Sequence, residues 1–292
     1  MAGVENRVAL VTGAGRGIGK ETAELLAARG ARVMAVARSE QELQRLGLDY
    51  VAADLGTAAG CALAVEETER RLGGIEVFIC NHGLGSAQEK VIWEQDPGLW
   101  EKTIRVNLDG PFYLSRLITA GMVQRGYGRV VYTSSTAAET AEHAGSAYNS
   151  SKSGLLGLMR SVAQDGGEYN ITSNAVLPGW VRTEMAENSA RAEAERRGLS
   201  IGEVWAERAA LYPPKRVVTP REVAEAIAFF ASEESSGGSF PGVEVAEIPP
   251  SDGFHGGVGK QNRVEFDSFL GLPRFAFRRG GPGRRVFPAP LA

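Results

Sequence analysis

The chain has 292 residues, 43% of them hydrophobic and 23% charged, enough for a sizeable folded core, so it is not a disordered protein. Thirty-two basic residues against 35 acidic ones leave a formal charge of −3, which speaks against a protein built to bind nucleic acid or an acidic membrane. The balance is uneven, because residues 255–292 carry seven basic residues against Glu265 and Asp267.

Cys61 and Cys80 are the only cysteines and share no metal-ligand spacing, so neither a disulfide framework nor a structural metal is expected. A reduced, cytoplasmic setting fits. The opening MAGVENRVALVTG leaves no room for the apolar part of a signal peptide, and no run of eighteen apolar residues predicts a membrane span.

From residue 7 onward, short β-branched runs alternate with segments of helical apolar spacing. Val8–Thr12 reads as a buried strand that empties into the glycine-rich turn Gly13–Gly19 and a helix Lys20–Arg29. Ala31–Ala37 is the second strand, followed by a helix Glu40–Leu46, a strand Tyr50–Ala53 ending at Asp54, and a helix Ala58–Leu72. Then come a strand Glu76–Cys80, one helix Leu99–Arg125, a strand Gly128–Thr133, a helix Tyr148–Glu168 and a strand Thr172–Leu177. Residues 184–212 read as helical, Pro213-Pro214 breaks them, Pro220–Ser232 is a further helix, and Val243–Ile248 is a candidate seventh strand. The pattern predicts an α/β protein, a Rossmann-type doubly wound parallel sheet in a single domain over 1–250, followed by a basic, Phe-rich C-terminal extension over 251–292.

A strand that runs into a glycine-rich turn and opens a helix suits a pyrophosphate, because bare backbone N–H groups and the helix dipole both face the anion. The spacing here is Thr12-Gly13-x-x-x-Gly17-Ile18-Gly19 rather than G-x-G-x-x-G. In dinucleotide folds an acid at the end of the second strand bonds the ribose of NAD, whereas a basic residue there accommodates the extra phosphate of NADP. This strand ends in Ala37-Arg38-Ser39 with no carboxylate, and Arg38 with Arg16 offers a 2′-phosphate clamp unless both are plain surface residues. NADP(H) is therefore expected over NAD(H).

Tyr148 and Lys152 lie four apart at the start of a predicted helix and so share a face. An adjacent ammonium and the positive ring of a bound nicotinamide would both favour the phenolate, which is expected to lower the tyrosine pKa and fit it for acid–base work. Ser135, at the end of the preceding strand, lies thirteen residues before Tyr148 across a loop that can return to the same cleft.

With these residues in place, the sequence resembles a classical short-chain dehydrogenase/reductase over about residues 5–235. The resemblance rests on the glycine motif, Asp54-Leu55, Asn81-x-Gly83, Asn107, Ser135, Tyr148-x-x-x-Lys152 and Pro178-Gly179-x-Val181-x-Thr183. It implies hydride transfer between nicotinamide and a carbonyl or alcohol carbon. Tyr148 would be the general acid and base, Ser135 would orient the carbonyl oxygen, Lys152 would bind the nicotinamide ribose, and Asn107 would hold a relay water. It further implies that Gly13, Gly17, Ile18 and Gly19 meet the pyrophosphate, Asp54 and Leu55 the adenine, Asn81 and Gly83 the cofactor cleft, and Pro178 to Thr183 the nicotinamide amide. His82 stands where the family usually has Ala, and is read as a packing or hydrogen-bonded residue beside the cofactor. His143, in the loop before Tyr148, is a candidate for substrate contact.

The segment 184–212 stands at the family's substrate lid, and its apolar residues suit a hydrophobic or cyclic carbonyl. The expected activity is thus that of a ketoreductase, with a 3-hydroxy acid or 3-oxoacyl substrate as the alternative and a catalytically silent dinucleotide-binding regulator as the alternative of another class. The family resemblance also implies a homodimer or homotetramer through the helices at about 99–125 and 148–168.

Overall fold

The run Val8–Thr12 forms strand β1 with all five residues buried, as a strand covered on both faces requires. After it come α1 (Gly17–Ala28), β2 (Arg32–Ala37), α2 (Glu40–Gln44), β3 (Asp49–Ala52), α3 (Ala58–Leu72) and β4 (Val77–Cys80). Next are α4 (Pro97–Ile104), α5 (Gly110–Arg125), β5 (Gly128–Thr133), α6 (Ala137–Thr140), α7 (Ser146–Gly166) and β6 (Ile171–Leu177). The last elements are α8 (Glu184–Arg197), α9 (Ile201–Ala210), α10 (Pro220–Phe230), β7 (Val243–Glu244), β8 (Val264–Phe266) and β9 (Phe275–Phe277). This is a computed structural model, and it describes residues 3–236, 243–244, 264–266 and 275–277. The remainder of the candidate strand Val243–Ile248, and most of the C-terminal extension, lie outside the described residues.

The chain divides into two units, Met1–Pro249 and Pro250–Ala292. In the first, seven parallel strands run in the order β3-β2-β1-β4-β5-β6-β7. In the second, β8 and β9 pair antiparallel.

Alternate strand residues feed opposite cores. Leu10, Phe78 and Cys80 join Leu114, Ile118, Leu155 and Met159 beneath α3, α5 and α7. Val11, Val77 and Ile79 join Leu25, Leu26, Val223 and Ile227 beneath α1, α2 and α10. The two-sided burial makes the sheet doubly wound, and the order reverses at β1, between β2 and β4. In open α/β sheets such a reversal places a crevice at the carboxyl ends of the strands.

Two predicted helices are broken, each for a local reason. Within the expected helix Leu99–Arg125, an α-helical ladder would have residue 111 donate to the carbonyl of Asn107, but Pro111 has no N–H. The chain makes a π turn over Arg105–Asp109 instead, closed by the Gly110 N–H on the Arg105 carbonyl. The expected helical run 184–212 stops at Gly198, in the left-handed region, and restarts at Ser200 and Glu203, which form a capping box. Ala186, Ala190, Ala194, Val204 and Trp205 pack these two helices against each other in a small core of their own.

Candidate active site

The turn after β1 is shaped by its glycines. Gly13 has φ +66°, and a Cβ there would meet the His82 backbone at 2.9 Å; a Cβ on Gly19 would lie 2.2 Å from the Gly13 carbonyl oxygen. Helix α1 then begins with no capping side chain and no acid in its first turn, which leaves a helix N-terminus suited to an anion.

From this turn a cleft of about 380 Å³ follows the ends of β1, β2, β4, β5 and β6. Its walls include Gly13, Arg16, Gly17, Ile18, Arg38, Asp54, Leu55, Asn81, Gly83, Ser135, Tyr148, Lys152, Pro178, Gly179, Val181 and Thr183. Two expected residues stand behind the walls, Gly19 within the turn and Asn107, which is fully buried. His143 is exposed and outside the cleft lining.

At the far end of β2 the absence of a carboxylate holds for the strand but not for its surroundings. Glu42, one turn into α2, lines the cleft, and a Cβ on Gly15 would meet its Oε2 at 2.5 Å. Arg16 already donates to Glu184 at 2.7 Å. Two arginines and two carboxylates therefore share this mouth of the cleft.

Lys152 is 5% exposed, and its Nζ donates to the Thr133 carbonyl at 2.8 Å. Burial brings its pKa down to about 8. Its Nζ is 5.7 Å from the centre of the Tyr148 ring. Without a nicotinamide beside it, burial, then the charge of Glu142, push the Tyr148 phenol up to about 12, with Glu89 adding to the rise and the Ser135 hydroxyl drawing it down. Desolvation and two carboxylates on loops set this direction, and Lys152 is not among the groups that shift the phenol. Asn107 Oδ1 accepts from the Leu84 N–H while its Nδ2 donates to the Leu84 carbonyl and Ser151 Oγ, so it pins the segment after β4 to α7.

Three polar residues of the site escaped the sequence reading. Glu89 accepts from the backbone N–H groups of both Ala147 and Tyr148 at 2.8 Å, and so caps α7, whose own N-cap residue Gly145 offers no side chain. Glu142 lines the cleft and accepts from Ser86 Oγ at 2.8 Å, with burial raising its pKa. All three sit on loops, where no periodicity marks them; an acid between Ser135 and Tyr148 was the one available signal.

His82 is hydrogen-bonded, with Nδ1 2.9 Å from Thr12 Oγ1. Burial, with Lys152 second, holds its imidazole down to about 3, so the ring is neutral. The same Thr12 hydroxyl donates to the Ile79 carbonyl at 3.1 Å. Among the described residues no group of three His, Cys, Asp or Glu side chains could hold a metal ion, and no helix is long and apolar enough to cross a membrane. Both cysteines are free and buried, which pushes their thiols up to about 12.

The model of one protein family, the short chain dehydrogenases, matches residues 7–194. The chain is 33% identical over 244 residues to the 3-oxoacyl-[acyl-carrier-protein] reductase of Vibrio cholerae, covering 80% of this chain and 93% of that protein. It is 30% identical over 240 residues to the D-beta-hydroxybutyrate dehydrogenase of Cupriavidus necator, covering 79% and 92%. Among solved structures, that of an actinorhodin polyketide ketoreductase with NADPH is similar with a TM-score of 0.76 and 28% identity, over 83% of this chain and 97% of that one.

Proposed function

The chain belongs to the short chain dehydrogenase family and is an oxidoreductase of carbonyl and CH–OH groups that works with a nicotinamide dinucleotide, and on that footing we propose a ketoreductase with Tyr148 as its general acid and base. The observation that carries this reading is that Ser135, Tyr148 and Lys152 share the wall of a cleft whose other end is the uncapped glycine turn.

The residues present fit the dinucleotide. The main chain of Gly13, Gly17, Ile18 and Gly19 would hold the pyrophosphate, Asp54, Leu55, Asn81 and Gly83 the adenosine side and the middle, and Pro178, Gly179, Val181 and Thr183 the nicotinamide amide. Arg16 and Arg38 flank the place of a 2′-phosphate, which supports NADP(H) over NAD(H), and the related ketoreductase structure contains NADPH. When bound, the reduced nicotinamide supplies a hydride to the carbonyl carbon.

The protein's own groups handle the proton. Ser135 holds the carbonyl oxygen, and Tyr148 gives it the phenolic proton as negative charge develops there. With Tyr148 near 12 and Lys152 near 8, the ammonium is the stronger acid, so return of a proton from Lys152 to the phenolate runs downhill. Asn107 holds the Leu84 segment and α7 in register, while α8 and α9 form the lid that keeps water from the reacting carbon.

Reduction of a 3-oxoacyl group is the second reading, favoured by the likeness to the Vibrio cholerae reductase. Catalysis by 1–250, an appended 251–292, a cytoplasmic setting and a homodimer or homotetramer complete the proposal. Trp100, on α4, and Phe112, on α5, are exposed aromatic side chains on helices of the expected interface, which supports assembly through them.

The test is a panel of ketones and alcohols with NADPH, NADP, NADH and NAD, followed at the nicotinamide absorbance. Tyr148→Phe is expected to lower carbonyl reduction by about a thousandfold while NADPH still binds. Full activity in that variant would sink the mechanism.

A further inference from the structure

The substrate end of the cleft holds one carboxylate that the reaction does not need. Glu142 lies in the wall beside Tyr148, and its place is fixed from three directions. Its N–H donates to Asn149 Oδ1 at 3.0 Å and its carbonyl accepts from Asn149 Nδ2 at 2.9 Å, so it is tied in both directions to the residue after Tyr148. Ala141 and Ala144 on either side hold φ values of 59° and 51°, a left-handed backbone uncommon for residues with a Cβ. Ser86 then holds Oε2, which leaves Oε1 to take a further donor.

Among the described residues, the same end of the cleft has no cation free to receive an acid. Among the described residues the cationic side chains of the wall are Arg16, Arg38 and Lys152; the first two stand at the dinucleotide mouth and the third is spent on the Thr133 carbonyl. Arg208 lies behind the wall, its guanidinium 3.5 Å over the Trp180 ring and bonded to the Ala186 carbonyl, Ser189 and Glu193. Its charge still reaches Glu142 and partly offsets it, so this corner suits a neutral donor rather than a second ion.

We propose that Glu142, braced by Ser86, receives a hydroxyl group of the substrate, so that the enzyme selects uncharged hydroxyketones and their diols over free oxo acids. The inference rests on the ketoreductase reading and narrows its substrate class. Trp180 and Met185 also line the cleft and offer apolar surface to the rest of the substrate.

The experiment compares kcat/KM for 1-hydroxy-2-butanone, 2-butanone, ethyl acetoacetate and acetoacetate with NADPH, in the wild type, Glu142→Gln and Ser86→Ala. The wild type is expected to favour the hydroxyketone over 2-butanone by about tenfold and to disfavour acetoacetate against its ester, as one charge-assisted hydrogen bond and one like charge imply. Glu142→Gln should collapse the hydroxyketone-to-butanone ratio by about tenfold and narrow the gap between acetoacetate and its ester. Ser86→Ala should move both ratios the same way by a smaller factor. NADPH fluorescence titration reports whether each variant is folded. An equal loss on all four substrates would make the pair a latch between two loops and overturn the proposal, as would unchanged ratios or a wild type that prefers acetoacetate. If the wild type reduces none of the four, the ketoreductase reading itself fails, and this inference falls with it.

Discussion

At the dinucleotide end of the cleft the walls are mostly main chain, the glycine turn after β1 and the strand ends at Asn81 and Pro178, whereas at the substrate end they are side chains carried on loops. The first kind of wall is fixed by the parallel sheet and tolerates little, as the close approach at Gly19 illustrates. The second can change one residue at a time. Ser86 and Glu142 belong to different loops and meet only in the folded chain, so selectivity can be altered there without disturbing the dinucleotide site. The comparison also explains how relatives at about 30% identity carry names of different substrates over much the same length.

The sharpest way to break this contrast is at the one place where side chains dominate the dinucleotide end. Arg38→Asp is expected to lower the NADPH-to-NADH ratio of kcat/KM by about a hundredfold, as loss of a charge-assisted clamp and gain of a like charge imply. An unchanged ratio would mean that Arg38 is a surface residue and that Glu42 and Glu184 set the mouth's character.

A smaller effect is expected from Lys152, where the two ends meet. Bringing a lysine from its ordinary 10.5 down to about 8 corresponds to about 3 kcal/mol of cost for the buried ammonium. Lys152→Met removes that cost but orphans the Thr133 carbonyl, worth about 1 kcal/mol, so the inactive variant should be about 2 kcal/mol more stable at pH 7. Between pH 8 and 10.5 the unfolded wild type binds more protons than the folded one, so its stability rises with pH and the variant's advantage fades. Urea unfolding at pH 7 and above pH 10 checks both the sign and the window, and a less stable variant at pH 7 would refute the cost.

The smallest effect concerns Glu89. Glu89→Ala removes the carboxylate that caps α7 and should cost about 1 kcal/mol in thermal or urea unfolding. It should also lower kcat by several fold, because the freed amide is that of Tyr148. An unchanged unfolding midpoint would show that the helix start is held without it.

Much of this was legible in the chain itself. The strand, glycine turn and helix at Val8–Ala28 follow from spacing that only a close backbone approach demands, and Tyr148 and Lys152 follow from one turn of helix. Helix α3 runs from Ala58 to Leu72 as its apolar period indicates. What was not legible depends on partners distant in sequence. Glu89 caps a helix 58 residues away, and Ser86 reaches Glu142 across 56. The upward shift at Tyr148 is of the same kind, since it comes from burial and from the charges of two carboxylates on loops. The π turn lies between these cases: Pro111 stood in plain view inside the expected helix and releases the Asn107 carbonyl wherever that helix begins, but whether the chain answers with a π turn, a kink or a break depends on packing against distant residues.

That π turn has a consequence for the chain's tolerance of length changes. Each residue rotates an α-helix by about 100°, and the turn over Arg105–Asp109 holds one residue more than an α-helical path needs. It therefore sets the phase between α4 and α5, and with it the angle at which Asn107 reaches Leu84 and Ser151. Deleting a single residue between Arg105 and Asp109 would give a smoother helix and a misaligned one, with either Asn107 turned from Leu84 or Leu114 and Ile118 rotated out of the core.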